Sequence, residues 1–179
     1  PWHIAQRVVI GRGAADNDQI LTDLAGGVSA LVLDFSSIKS VTTDDLDALL
    51  DGVMLDIAPV VLAPAACGVD GILAFIDLLA RRREDAQAMS GYLNFDPFAT
   101  ALTANQPVSS QGLEALVARA ADQPNLALMT ASGAAFHNEG AAPTEELAFM
   151  LAALTQNLRL LEAQGLAPED VLARINLTL

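Results

Sequence analysis

Apolar runs of strand length alternate along the chain with stretches in which apolar residues recur every three or four positions. This is the pattern of repeated βα units around a parallel sheet, whose strands are covered by helices and so lack the polar alternation of a half-wet sheet. The first strong run, Val28 to Asp34, reads VSALVLD and follows a weaker strand from about His3 to Val9. Between them Asp16 is placed to cap a short helix that buries Ile20, Leu21 and Leu24 and stops at Gly26-Gly27. Thr42 or Thr43 caps the next helix, with Asp44 and Asp45 at its positive end, Leu46, Leu49 and Leu50 inside, and Gly52 past its end.

The third strand region, Val53 to Ala63, is interrupted at Pro59, which predicts a short entry and an inner strand ending near Leu62. A strongly amphipathic helix spans Asp70 to Arg83, with Ile72, Leu73, Phe75, Ile76 and Leu79 inside. Its Arg81-Arg82-Arg83 triplet suits the negative end of a helix better than a phosphate site. A brief strand at Met89 to Leu93 leads into a loop through Gln111, a helix from Gly112 to Ala121, and a buried strand from Leu126 to Ala131. Pro143 opens the longest helix, which runs to about Gln164 and closes at Gly165; its Leu147, Met150, Leu151 and Leu154 are expected to face the sheet. Pro168 opens a last short helix before a strand at Ile175 to Leu179. The reading is α/β: an incomplete TIM-type (βα) barrel of about five βα units plus the start of a sixth strand. A full eight-unit barrel needs about 250 residues, about two units more than this chain supplies.

Composition narrows the partners. The chain has 179 residues, 53% hydrophobic and only 17% charged, which excludes disorder and fits one partial barrel domain, residues 1–179. Nine Lys and Arg against 22 Asp and Glu give a formal charge of −13, which repels nucleic acid and anionic membranes. A single cysteine, Cys67, excludes an internal disulfide or a cysteine-built metal cluster and suits a reducing, cytoplasmic setting. The start at Pro1-Trp2, without initiator Met, basic leader or spanning apolar run, reads as an excised domain with no export signal.

Chemistry is sparsely signalled. Gly11-Arg12-Gly13 lacks the third glycine of a dinucleotide loop, there is no P-loop or nucleophile elbow, and His3 and His137 are the only histidines, so no metal site is expected. Asp34 and Ser36 stand at a strand's C-terminal end, where barrels keep their sites; an acid–base pair of Asp34 with Asp56 is disfavoured because Asp56 sits in the loop before Pro59. The loop Ser132 to Ala142 carries Phe136, His137, Asn138 and Glu139 and is the natural place for a ligand, although a plain helix-entry loop explains it too.

Several stretches in chain order are similar to the methylmalonyl-CoA mutase family. Pro1 to Arg7 (PWHIAQR) resembles its PW-x-I-x-Q opening, Leu24-Ala25-Gly26-Gly27 its LAAG helix end, and Met54-Leu55-Asp56 its PLD segment. Gly91 to Pro97 (GYLNFDP) looks like the small-subunit NLGADP pattern. His137 to Ala142 with Glu145 to Phe149 resembles H-x-x-E-A-G-A followed by E-L-A-F, and Leu160 to Ile175 also reads like the small subunit. The resemblance implies a barrel that threads coenzyme A through its centre and faces adenosylcobalamin carried by a separate domain, the cofactor supplying the radical chemistry. In the catalytic subunit a Tyr-His pair stands three residues before the conserved Glu; aligned on Glu139, Ala135 and Phe136 take those places and His137 falls one position late. Ser36 to Ser40 likewise replaces a Tyr- and Arg-bearing loop.

Losing one such acid or oxyanion donor costs about 10²- to 10⁴-fold in rate. The resemblance therefore implies a non-catalytic small subunit, with no catalytic residue of its own. No DxHxxG cobalamin motif is present, so the cofactor is not bound by this chain alone. The implied partner is a mutase large subunit in a heterodimer, or a second copy through self-association, and a coenzyme A thioester is a conceivable ligand. The alternatives are a divergent catalytic barrel using His137 and Glu139, and a solitary ligand-binding barrel fragment.

Overall fold

A computed structural model describes residues 2–11, 13–63, 68–82 and 88–178. Six strands form one parallel sheet: β1 (Ala5–Val9), β2 (Ala30–Asp34), β3 (Val60–Leu62), β4 (Gly91–Phe95), β5 (Leu126–Ser132) and β6 (Ile175–Thr178). Spatial order equals chain order, and every neighbouring pair is parallel. The helices are α1 (Ala14–Ala25), α2 (Thr43–Leu49), α3 (Gly68–Arg82), α4 (Pro97–Ala104), α5 (Leu113–Arg119), α6 (Ala134–Asn138), α7 (Pro143–Ala163) and α8 (Pro168–Val171). Because the order never reverses and such crossovers are right-handed, the helices between strands fall on one face of the sheet. The sheet is open, so the sequence expectation of a βα array holds while barrel closure is not seen within these residues.

Register shows what the open sheet leaves uncovered. Val8, Leu33 and Leu62 lie side by side in the ladder and are buried with Phe35, Ile20, Leu46 and Phe75 beneath the helices. One residue earlier, Arg7, Val32, Val61 and Tyr92 form a row that pleating turns to the opposite face. There Arg7 is exposed, Val32 and Val61 are half-buried and Tyr92 is 41% exposed.

The helices follow from local chemistry, with some corrections to the sequence reading. Thr42 caps α2 in a full capping box with Asp45. Asp16 is not the cap of α1 but lies in its first turn, fully buried, where its carboxylate accepts the Gly11 N–H at 2.8 Å. Arg81 pairs with Asp44 at 2.6 Å and Arg82 with Asp47 at 2.8 Å, joining α3 to α2, so those two arginines are structural; Arg83 lies outside the described residues, as do Pro1, Cys67 and Leu179. The stretch taken for loop contains α4, because Asp96 accepts the N–H groups of Phe98 and Ala99 and Pro97 follows at the first helical position.

Two elements are displaced from their expected positions. Strand β4 starts two residues late, at Gly91, where an added Cβ would lie 2.3 Å from the Val60 carbonyl oxygen; only glycine lets β3 and β4 close there. Helix α7 is rotated from expectation: Met150, Ala153, Asn157 and Leu161 are buried, whereas Leu147 and Leu151 are 46% and 48% exposed. The buried Asn157 amide donates to the Thr130 carbonyl of β5 at 3.0 Å, and this bond sets the rotation.

Candidate functional site

The carboxyl ends of the parallel strands make one rim, and the sequence-predicted site residues lie along it. They do not converge. Asp34 and Ser36 follow β2, whereas Phe136 to Glu139 follow β5, and β3 and β4 stand between. Three inter-strand spacings of about 4.8 Å separate the two loops along the rim.

Asp34 is committed to its neighbours. Its side chain accepts Arg7 Nε at 2.9 Å and Arg7 Nη2 at 2.6 Å on one oxygen, and the Ser36 N–H at 2.8 Å on the other. Burial pushes its carboxyl up, but hydrogen bonds from the backbone and hydroxyl of Ser36 and from Arg7, with the Arg7 charge, outweigh it and hold the group below the usual range. Ser36 thus serves the carboxylate. Asp56, beyond the short α2–β3 turn, has no hydrogen bond to Asp34 among the described residues.

In the middle of the rim is a buried polar relay that the sequence did not announce. Strand β4 slips register between Tyr92 and Phe95, and Asn94 there has a left-handed backbone, φ 53°. Its amide donates to the Leu62 carbonyl of β3 at 2.7 Å, and its carbonyl oxygen accepts the Thr130 hydroxyl of β5 at 2.5 Å. Thr130 in turn accepts Asn157 of α7 through its backbone carbonyl. Asn94 was visible in the GYLNFDP stretch, and asparagine is among the few residues that tolerate this conformation; only its partners were unreadable. Next to it, Asp96 is buried and has no cationic partner among the described salt bridges; burial raises its carboxyl, against hydrogen bonds from the backbone of Ala99, Phe98 and Ser132. Leu62, Leu93, Phe95 and Ile72 wall a mostly apolar cavity of about 230 Å³ beside Asn94 and Asp96.

The loop after β5 is wound into α6. Ala135 and Phe136 are half-buried, and the Phe136 ring stacks on Phe149 of α7 with centroids 4.8 Å apart. His137 is exposed and its Nδ1 lies 3.1 Å from Glu146 of α7. Asn138 and Glu139 are exposed, and Glu139 closes α6 with its backbone N–H on the Phe136 carbonyl. None of these four side chains faces the Asn94–Asp96 cavity wall. What the rim holds is a set of interactions that fix strand ends: a capping acid, an ion pair and an amide relay. It presents no histidine aimed at a cavity, and no cluster of three or more His, Cys, Asp or Glu able to hold a metal occurs among the described residues. Neither His3 nor His137 lines one of the described cavities, so neither is placed as a lower ligand for adenosylcobalamin.

Comparison with known proteins gives one consistent answer. The family model for methylmalonyl-CoA mutase matches residues 36–179. The chain is 34% identical over 182 residues to the "Probable methylmalonyl-CoA mutase small subunit" of Mycobacterium tuberculosis (strain ATCC 25618 / H37Rv), covering 99% of this chain and 29% of that protein. It is 30% identical over 176 residues to the "Methylmalonyl-CoA mutase small subunit" of Streptomyces virginiae, covering 97% of this chain and 28% of that protein. The chain thus spans less than a third of the length of these relatives.

Proposed function

The chain belongs to the methylmalonyl-CoA mutase family, and from that membership we propose that it is part of the acyl-CoA barrel of a non-catalytic small subunit, supporting a catalytic large subunit in a cobalamin-dependent mutase. The observation that carries this reading is at α6. Ala135 and Phe136 stand where the resemblance puts the catalytic Tyr-His pair, and Phe136 is spent on a ring stack with Phe149. His137, the nearest imidazole in sequence, is paired with Glu146 on the outer helix and has no place in an acid–base role at the rim. The same placement speaks against a divergent enzyme using His137 and Glu139.

The barrel belongs to this proposal as well. Six strands in chain order, with the partly exposed row of Arg7, Val32, Val61 and Tyr92 on the face away from the helices, are what an eight-stranded barrel becomes when two units are missing. Closure would seal that row inside and pair the outer edges of β1 and β6. In this reading cobalamin is carried outside these 179 residues and supplies radical chemistry at the large subunit's site; this chain's residues position strands and present surface. No helix among the described residues is long and apolar enough to cross a membrane, and the lone cysteine is compatible with the reducing, cytoplasmic setting of this reading.

The test is a reconstitution. With adenosylcobalamin and methylmalonyl-CoA, this chain alone should show no turnover, while the full-length protein that contains it should bind the large subunit from the same genome and raise its thermal midpoint. Conversion of methylmalonyl-CoA without the large subunit, or failure of the two to associate, would overturn the proposal.

A further inference from the structure

The cavity beside Asn94 and Asp96 has a position, a size and a polarity that the fixing of strand ends does not explain. It lies between the carboxyl ends of β3 and β4 and the first turns of α3, at the rim where parallel α/β sheets take their ligands. Its 230 Å³ exceeds the roughly 150 Å³ of an apolar cavity that admits benzene. Thr100, Ser109 and Gln111, from α4 and the loop before α5, are exposed and mark its mouth. Two backbone features frame it. On the floor Asn94 is held left-handed, φ 53°, by its bonds to β3 and β5; non-glycine residues in that region gather at ligand clamps. At the lip Gly112 has φ 87°, and a Cβ there would lie 2.4 Å from Val69 Cγ1, so glycine lets the loop come down on α3.

Polarity narrows the ligand. Leu62, Ile72, Leu93 and Phe95 make the walls, and no Lys, Arg or His lines the cavity among the described residues. Its one acidic lining residue among them, Asp96, is bonded to backbone N–H groups and has no cationic partner in the described salt bridges. An anionic ligand therefore meets a buried carboxyl and no counter-charge. A metal ion needs several donors, and no cluster of three or more His, Cys, Asp or Glu able to hold one occurs among the described residues. A single ammonium on an apolar body suits both parts of the cavity. The body covers the walls, and the charge meets the carboxylate away from water, where a charge-assisted hydrogen bond is strong.

We propose that this cavity binds a small hydrophobic monoamine, with its apolar body against Leu62, Ile72 and Leu93 and its ammonium on the Asp96 carboxylate. The site needs neither cobalamin nor a large subunit, so it stands or falls apart from the small-subunit reading.

The full-length protein that contains this chain is titrated by calorimetry with benzylamine, benzyl alcohol and benzoate at neutral pH and about 0.15 M salt. Benzylamine is expected to bind about tenfold more tightly than benzyl alcohol, and benzoate not to bind. Asp96→Asn, which keeps an acceptor for the α4 cap, should bring the amine down to the level of the alcohol and leave the alcohol unchanged. Ile72→Phe, which narrows the cavity, should abolish both. Each variant's urea midpoint is measured alongside; if Ile72→Phe lowers it, Thr100→Trp at the exposed mouth becomes the blocking variant. Equal affinity for amine and alcohol, or an amine preference that survives Asp96→Asn, overturns the pairing with Asp96 and with it the proposal. Amine binding that survives the blocking variant assigns it to the acidic surface of the protein and also overturns it. No binding of benzylamine at millimolar concentration overturns it outright.

Discussion

Asp34 and Asp96 lie at the same rim of one sheet, each at the carboxyl end of a buried strand, and they are held by opposite means. Asp34 has a cation against it: Arg7, itself largely exposed, reaches over the sheet edge and shares the work with Ser36. Asp96 has only backbone N–H groups and sits inside the protein between α4 and the end of β5. The first carboxyl is held below its ordinary range and the second above it. One residue type at one rim thus serves as an ionic tie at the edge and as a helix cap in the interior. The difference is whether solvent and an arginine are within reach.

The interior end should be the more fragile. Asn94→Ala should cost most, about 2–4 kcal/mol, since it deletes two buried hydrogen bonds and forces alanine into a left-handed backbone. Asn94→Gly, which removes the backbone strain, should recover part of the loss in urea melts. Equal costs for the two would mean that the relay alone carries the effect.

Asp96→Ala should come next, at about 1–2 kcal/mol for a lost cap. Asp96→Asn keeps an acceptor and should cost far less. The sign of the pH effect separates cap from charge. A carboxyl raised in the folded state holds its proton more tightly there than in the unfolded chain, so its contribution is fully present below the ordinary carboxylate range and declines as pH rises toward the folded value. The native protein should therefore gain on Asp96→Asn as pH is lowered, by paired melts at acidic and neutral pH; a gain on raising pH would contradict the raised carboxyl.

Asp34 should show the reverse. Its lowered carboxyl stabilises above the ordinary range and loses that contribution as pH falls through the folded value, so Asp34→Asn should cost about 1 kcal/mol at neutral pH and nothing in strong acid. The smallest effect belongs to Arg7→Gln, about 0.5 kcal/mol or less and shrinking with added salt, because the guanidinium is solvated. A salt-insensitive loss at Arg7 would place it deeper in the energetics than its exposure allows.

Hydrophobic periodicity was enough to read the strands and the order of the βα units, because parallel strands under helices are the most apolar stretches of such a chain. Errors arose where one contact outweighs pattern. Helix α7 carries leucines at two faces, and periodicity favoured Leu147 and Leu151; the Asn157 bond to Thr130, between residues far apart in sequence, chose the other. Strand β4 was placed early because Met89 is apolar and buried, yet pairing begins only where Gly91 admits the Val60 carbonyl. Helix α4 was legible after all: Asp96-Pro97 is a cap followed by proline at the first helical position, and Pro143 and Pro168 also occupy first helical positions. At the site, family motifs marked the loop that the structure winds into α6, but that Phe136 would lie on Phe149 depends on a helix crossing that no local pattern encodes.

Strand order that equals chain order has a consequence for how the molecule is made. Every strand pairs with the one synthesised just before it, and none has to wait for a distant segment to complete its inner edge. The sheet can therefore grow from its N-terminal end as the chain leaves the ribosome, each βα unit condensing on a finished template at the pace of translation. The exposed side of the newest strand is at each moment both the platform for the next and the surface most open to wrong pairing. Among the described residues that strand is β6, paired with β5 on one side, with Leu177 half-exposed and the other edge open.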